Sequence, residues 1–139
     1  MPIETVIAAA GVAVIMATAW ITAVEYKNLP DRVPTQFWFD GKPTSFGPRP
    51  IVCVLVGVQL LCLVIFGFTQ RSLGASPLTH RQVLGMDLFG LCIITMMASA
   101  QIMILEAAKS LPDQRLPMPR YWISFVGFTI VAILCAALF

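Results

Sequence analysis

The chain has 139 residues, of which 58% are apolar and only 12% charged, and its mean hydropathy is +0.85. A soluble domain is about half apolar and about a quarter charged, so this composition excludes a disordered chain, a nucleic-acid arm and an ordinary cytosolic enzyme. Nine Lys/Arg against seven Asp/Glu leave a net charge of +2, too balanced for a phosphate-binding surface, and lipid is the solvent the sequence points to.

A helix needs about 20 mostly apolar residues to cross a hydrocarbon core of about 30 Å. Four runs qualify: Thr5–Val24, Ile51–Thr69, Val83–Leu105 and Tyr121–Phe139. Asp87 is the one formal charge inside them, and all ten prolines lie outside. Proline lacks an N–H and breaks a helix interior, so its confinement to the gaps supports the same boundaries independently of hydropathy. Non-alternating runs of this length mean helices rather than barrel strands. The expected fold is an all-α integral membrane protein, four transmembrane helices in one bundle over residues 1–139, with a structured first loop over 25–50.

The first run carries Ala17-Thr18-Ala19, which looks like a leader cleavage site. No Lys or Arg precedes it and apolar residues continue to Val24, so a retained helix is expected. The third run has a readable start, since Thr79-His80-Arg81-Gln82 fits a capping box and Ser76-Pro77 offers a second start one turn earlier. The fourth follows Pro117-Met118-Pro119, with Tyr121 and Trp122 at its mouth, rings that favour the membrane–water interface. A literal Lys/Arg count places the first and third loops in the cytoplasm. Those loops are the longer ones and also hold Glu25, Asp31, Asp40, Glu106 and Asp113, which weakens the rule.

The first loop is the most distinctive segment. Pro30, Pro34, Pro43, Pro48 and Pro50 stiffen it. Asp40-Gly41 is a tight-turn pair, and Phe37, Trp38 and Phe39 precede it. The expected object is a stiff extended arm and a small turn laid on the membrane interface by its aromatic rings. Two roles fit it. One is a structural lid that caps the bundle. The other is a recognition surface for a peptide, lipid or partner helix, formed by Pro30, Pro34, Gln36, Phe37, Trp38, Phe39, Asp40 and Gly41.

The pattern Leu29-Pro30, Val33-Pro34, Phe37, Gly41, Pro43 and an aromatic-Gly pair ending at Gly47 resembles the domain of unknown function found at the start of SdpI-type immunity proteins. That resemblance implies a multi-pass protein of the bacterial plasma (inner) membrane with the motif loop on the outer side. It also implies a sensor or immunity role for some members. The family pattern commonly places His just before the Phe, where this chain has Gln36. Gln neither titrates near neutral pH nor ligates metal as imidazole does, so a proton or metal role for the loop is demoted. The chain is also shorter than full immunity proteins.

Inside the runs, polar residues are costly and draw a functional hypothesis. At about 100° per residue, Asp87, Gly90, Ala98 and Gln101 share one face of the third helix. Gln59, near the middle of the second, is placed to hydrogen-bond to it. Interhelical pairing is one reading and a proton or substrate path the other, with Arg71 or Arg81 near enough to neutralise Asp87. Ala9, Ala13 and Ala17, at four-residue spacing, allow close helix approach, within the chain or to another subunit. Met86, Met96, Met97 and Met103 read as adaptable packing, and Cys53, Cys62, Cys92 and Cys135 as small apolar fillers without a disulfide. His80 is the single histidine.

No phosphate-binding loop, metal-ligand cluster or nucleophile–base signature is present in the sequence, so no enzyme activity and no metal are expected. The chain is read as a non-enzymatic sensor or immunity-type module that binds a peptide or membrane partner through its first loop. The alternative is an accessory subunit of a larger respiratory or photosynthetic membrane complex. No cofactor of its own is expected, with haem or pigment held only by a partner. The expected partners are membrane lipids and other membrane subunits or a peptide, and not nucleic acid.

Overall fold

The four apolar runs form four helices, α1 Ile3–Tyr26, α2 Ile51–Leu73, α3 His80–Lys109 and α4 Met118–Leu138, and two strands, β1 Arg32–Phe37 and β2 Pro43–Pro48, lie between the first two. The structure is a computed structural model that describes the backbone of residues 3–38, 40–73, 80–110 and 118–138, and the side chains of 3–38, 40–69, 82–110 and 121–134. Thr79, Ser76-Pro77, Phe39, Pro117 and the side chains of Arg71, His80, Arg81 and Cys135 lie outside the described residues, and with them both proposed starts of the third helix.

The helices run further than hydropathy alone marks. Glu4 sits in the first turn of α1 and Lys109 in the last turn of α3, each the sign that the helix dipole favours at that end. Pro119 falls in the first turn of α4, where a missing N–H costs no helical bond. Helical stretches at Ile3–Tyr26, Ile51–Thr69 and Gln82–Lys109 are long and apolar enough to cross a bilayer, and α4 adds a shorter apolar stretch at Tyr121–Leu134. Trp20, Phe68 and Ile123 are over 70% exposed while Gln59 and Gln101 are fully buried. That is the reverse of a water-soluble surface, and together these features mark a membrane protein.

Helices α1, α2 and α3 pack on one another, and α4 lies along α3. The buried face of α1 is Gly11, Ile15, Thr18 and Thr22. Ala9, Ala13 and Ala17 point outward and are exposed. The alanine stripe therefore makes no packing face within the chain: the helix is rotated so that the face with two threonines meets α2 and α3, because those hydroxyls have partners there. On α3 the buried line is Asp87, Gly90, Ile94, Ala98, Gln101 and Leu105, the face that helical periodicity predicts.

The first loop corrects the all-α expectation. It is a β-hairpin whose strands pair antiparallel, Arg32 with Pro48, Val33 with Gly47, Pro34 with Phe46, Gln36 with Ser45 and Phe37 with Pro43. Irregular steps follow Pro34 and Gln36. Proline cannot donate to a ladder and is tolerated at edges and bulges, and Pro34 sits beside one. Two strands alone are marginal in water. Here Leu29 and Val33 are buried on Val52 of α2 and Ile104 and Leu105 of α3, with Tyr26, Phe37 and Leu55 closing the cluster. Fully burying one such side chain contributes about 1.5–3 kcal/mol, so this cluster, rather than the few ladder bonds, holds the hairpin on the bundle.

Candidate functional site

The tip of the hairpin is built from backbone bonds. Trp38 N–H donates to Lys42 C=O and Gly41 N–H to Trp38 C=O, each at 2.9 Å. Lys42 N–H donates to Asp40 Oδ1 at 3.1 Å. Gly41 has a φ of 83°, a left-handed conformation that a side chain would strain. The result is a closed turn that presents Trp38, which is 62% exposed.

Beside it, Gln36, Phe37, Trp38 and Thr44 of the hairpin face Trp122 of α4 across an open groove of about 660 Å³. The lining combines three aromatic rings with an amide and a hydroxyl. Rigid rings supply contact area at low entropic cost, and a few polar groups fix orientation. Of the loop surface read from sequence, Gln36, Phe37 and Trp38 are brought together here. Pro30 is exposed elsewhere on the loop and Asp40 serves the turn. Pro34 and Gly41 are buried, which corrects their place on a binding surface: one is an inward residue of β1 and the other shapes the turn. Thr44 and Trp122 join the site unforeseen. Trp122 was legible as an interfacial ring, but its meeting with Trp38 depends on how α4 lies on α3.

The base of the hairpin and the helix ends beside it are braced. Arg49 N–H donates to Asp31 C=O at 3.0 Å and Arg49 Nη1 to Leu29 C=O at 3.4 Å, while its guanidinium lies 4.9 Å from the Tyr26 ring centre. Lys109 pairs with Glu25 at 2.6 Å, joining the ends of α3 and α1. Tyr121 is buried and donates to the Glu106 carboxylate, so its ring is engaged within the protein rather than at a wet interface. These contacts carry α3 past its expected end at Leu105.

Deeper in the bundle, the polar residues close a ring. Thr18 Oγ1 donates to Gln59 Oε1 at 2.9 Å and Gln59 Nε2 to Gln101 Oε1 at 2.8 Å. Gln101 Nε2 donates to Thr22 Oγ1 and, at 3.3 Å, to Val52 C=O. Thr22 Oγ1 donates to Thr18 C=O at 2.7 Å. The ring ties α1, α2 and α3 together without a formal charge, which favours the interhelical-pairing reading for Gln59 and Gln101. Thr18 and Thr22 were missed in the sequence, although their four-residue spacing on the Gly11–Ile15 face is the signal that finds them.

Asp87 stands apart from this ring. It is 6% exposed, and neither carboxylate oxygen has a hydrogen-bond partner among the described residues. It lines a small cavity at the opposite end of the bundle from the hairpin. Among the described residues no group of three or more His, Cys, Asp or Glu side chains converges to hold a metal.

Fold and site together define a membrane-helix protein with a hairpin docked on one end of its bundle. Residues 13–60 match the family model described as Domain of unknown function (DUF1648). The match takes in most of α1, the whole hairpin and the first half of α2, roughly a third of the chain. It includes Thr18, Thr22 and Gln59 of the polar ring and the hairpin side of the groove; Gln101 and Trp122 lie beyond it. No curated protein and no solved structure matches the chain.

Proposed function

We propose that this chain is a non-enzymatic, four-span protein of the bacterial plasma membrane that recognises an extended peptide at the membrane–water interface through the hairpin groove. The observation that carries the reading is the groove itself, in which Gln36, Phe37, Trp38 and Thr44 face Trp122 from a second, separately anchored element. A stiff site on a rigid scaffold loses little entropy on binding. The likeness of the loop to the start of SdpI-type immunity proteins supports a peptide sensor or immunity role with the hairpin on the outer face. The site needs no cofactor of its own, and lipids surround the helices.

The test is tryptophan fluorescence of the purified chain in nanodiscs, titrated with an array of extended peptides. A saturable change whose apparent affinity falls at least about tenfold in Trp38→Ala, the loss expected of an aromatic anchor that the peptide would bury, supports the reading. Equal responses from the parent and from Trp38→Ala, with the helix content of both unchanged, overturn it. A second reading, an accessory subunit of a larger membrane complex, draws on the outward-facing Ala9, Ala13 and Ala17. It predicts stoichiometric co-purification of large subunits in gentle detergent.

A further inference from the structure

The cavity beneath Asp87 has a volume of about 60 Å³ and lies between α1, α2 and α3, walled by Ile7, Gly11, Leu63, Phe66 and Ile94 around the one carboxylate. A water molecule's share of the liquid is about 30 Å³, so the space admits an ammonium head and its first methylenes. An isolated carboxylate in a low-dielectric site is unfavourable unless it is paired. Among the described residues that line the cavity, Asp87 is the one charged side chain, and no cation stands with it.

A dedicated metal site converges several protein ligands, whereas the described cavity lining offers one carboxylate among apolar side chains. An alkylammonium brings its own positive charge, three N–H donors and an apolar tail, which matches one acid set in an aliphatic and aromatic wall. Asp87 lies seven residues into α3, about 10 Å along its axis, a depth that a headgroup amine or a small free amine can reach.

We propose that this cavity binds a primary ammonium group carried on an aliphatic chain, with both Asp87 oxygens accepting its N–H donors and the apolar wall enclosing its methylenes. The site is separate from the hairpin groove and does not rest on the peptide-binding reading.

The experiment uses the full chain in phosphatidylcholine nanodiscs and follows thermal unfolding against n-butylammonium chloride, with n-butanol and sodium chloride as controls. The expected result is a saturable rise in the midpoint with butylammonium and neither control, since a ligand held by the folded state stabilises it. In Asp87→Asn the apparent affinity falls at least about tenfold, the loss of a charge-assisted hydrogen bond. Gly11→Ala is the second variant. Its added Cβ makes ordinary contacts at 3.5 Å from Leu63 Cδ1 and 3.7 Å from Ile94 Cδ1, so it folds while narrowing the cavity and weakens the shift with Asp87 intact. Phosphatidylethanolamine nanodiscs separate the two sources of the amine. A midpoint already raised there, with no further response to butylammonium, assigns a lipid headgroup; an undiminished response assigns a free amine. The proposal is overturned if butylammonium gives no shift, if n-butanol gives the same shift, or if Asp87→Asn responds as the parent does. A missing shift together with equal destabilisation by Arg71→Gln or Arg81→Gln would place the neutralising charge in the chain itself.

Discussion

At the hairpin end of the bundle, Lys109 meets Glu25, Tyr121 donates to Glu106 and Arg49 lies over Tyr26. At the other end, Asp87 is buried against a cavity with no hydrogen-bond donor among the described residues. Between them sits a neutral ring of two threonines and two glutamines. The first end reads as a rigid platform. Its Lys109–Glu25 pair lies at a partly exposed surface, and an apolar cluster sets the hairpin's position. The second end sets a buried carboxylate, without a hydrogen-bond partner among the described residues, beside a cavity lined by apolar side chains. A braced platform and a buried acid thus stand at opposite ends of the same three helices.

Removing the platform's apolar anchor gives the largest expected effect. Leu105→Ala or Leu29→Ala should lower stability by about 2–5 kcal/mol and release the hairpin, read as new proteolytic cleavage between Tyr26 and Ile51. If the hairpin stays protected, the cluster is not what holds it. Next comes the ring. Gln101→Leu strands Gln59 Nε2 and should cost about 1–3 kcal/mol. The double change Gln59→Leu with Gln101→Leu should cost less than the sum of the singles, because no unpaired partner remains. Strict additivity in that double-mutant cycle would show that the ring does not act as a unit. Interhelical hydrogen bonds in membranes average about 0.6 kcal/mol, so the ring selects helix register more than it adds stability.

Gly41→Ala should cost about 1–2 kcal/mol through its left-handed φ. The effect should fall on the hairpin tip, measured as faster amide exchange at Trp38 and Lys42 with α3 unaffected. The smallest effect is at the exposed ion pair. Lys109→Met should change stability by less than about 1 kcal/mol and become neutral in high salt. A larger loss would mean that the pair, rather than the cluster beneath it, is what fixes this end of the bundle.

Much of the interior was legible. Asp87, Gly90, Ala98 and Gln101 fall on the buried face of α3 as their spacing requires, and Gln59 reaches Gln101. Helical periodicity is a local property, and a polar residue deep in an apolar run has few places to go. The loop was less legible. Its prolines and the Asp40-Gly41 pair signal stiffness and a turn. The pairing of Gln36 and Phe37 with the second strand across bulges is not written in alternation that a reader can count. The alanine stripe left its neighbour open for a related reason: small residues show where a helix can be approached closely, not whether the neighbour lies within the chain.

From its sequence alone the chain determines lipid as its solvent, the positions of its four helices and the face of α3 that turns inward, because hydropathy and a 3.6-residue repeat act residue by residue. Tertiary structure decided the rotation of α1 that buries Thr18 and Thr22, the seating of the hairpin on α2 and α3, the placing of Trp38 and Trp122 on one groove and the burial of Asp87 beside a cavity. Each of these depends on which elements become neighbours and at what angle, a choice made by packing all of them at once.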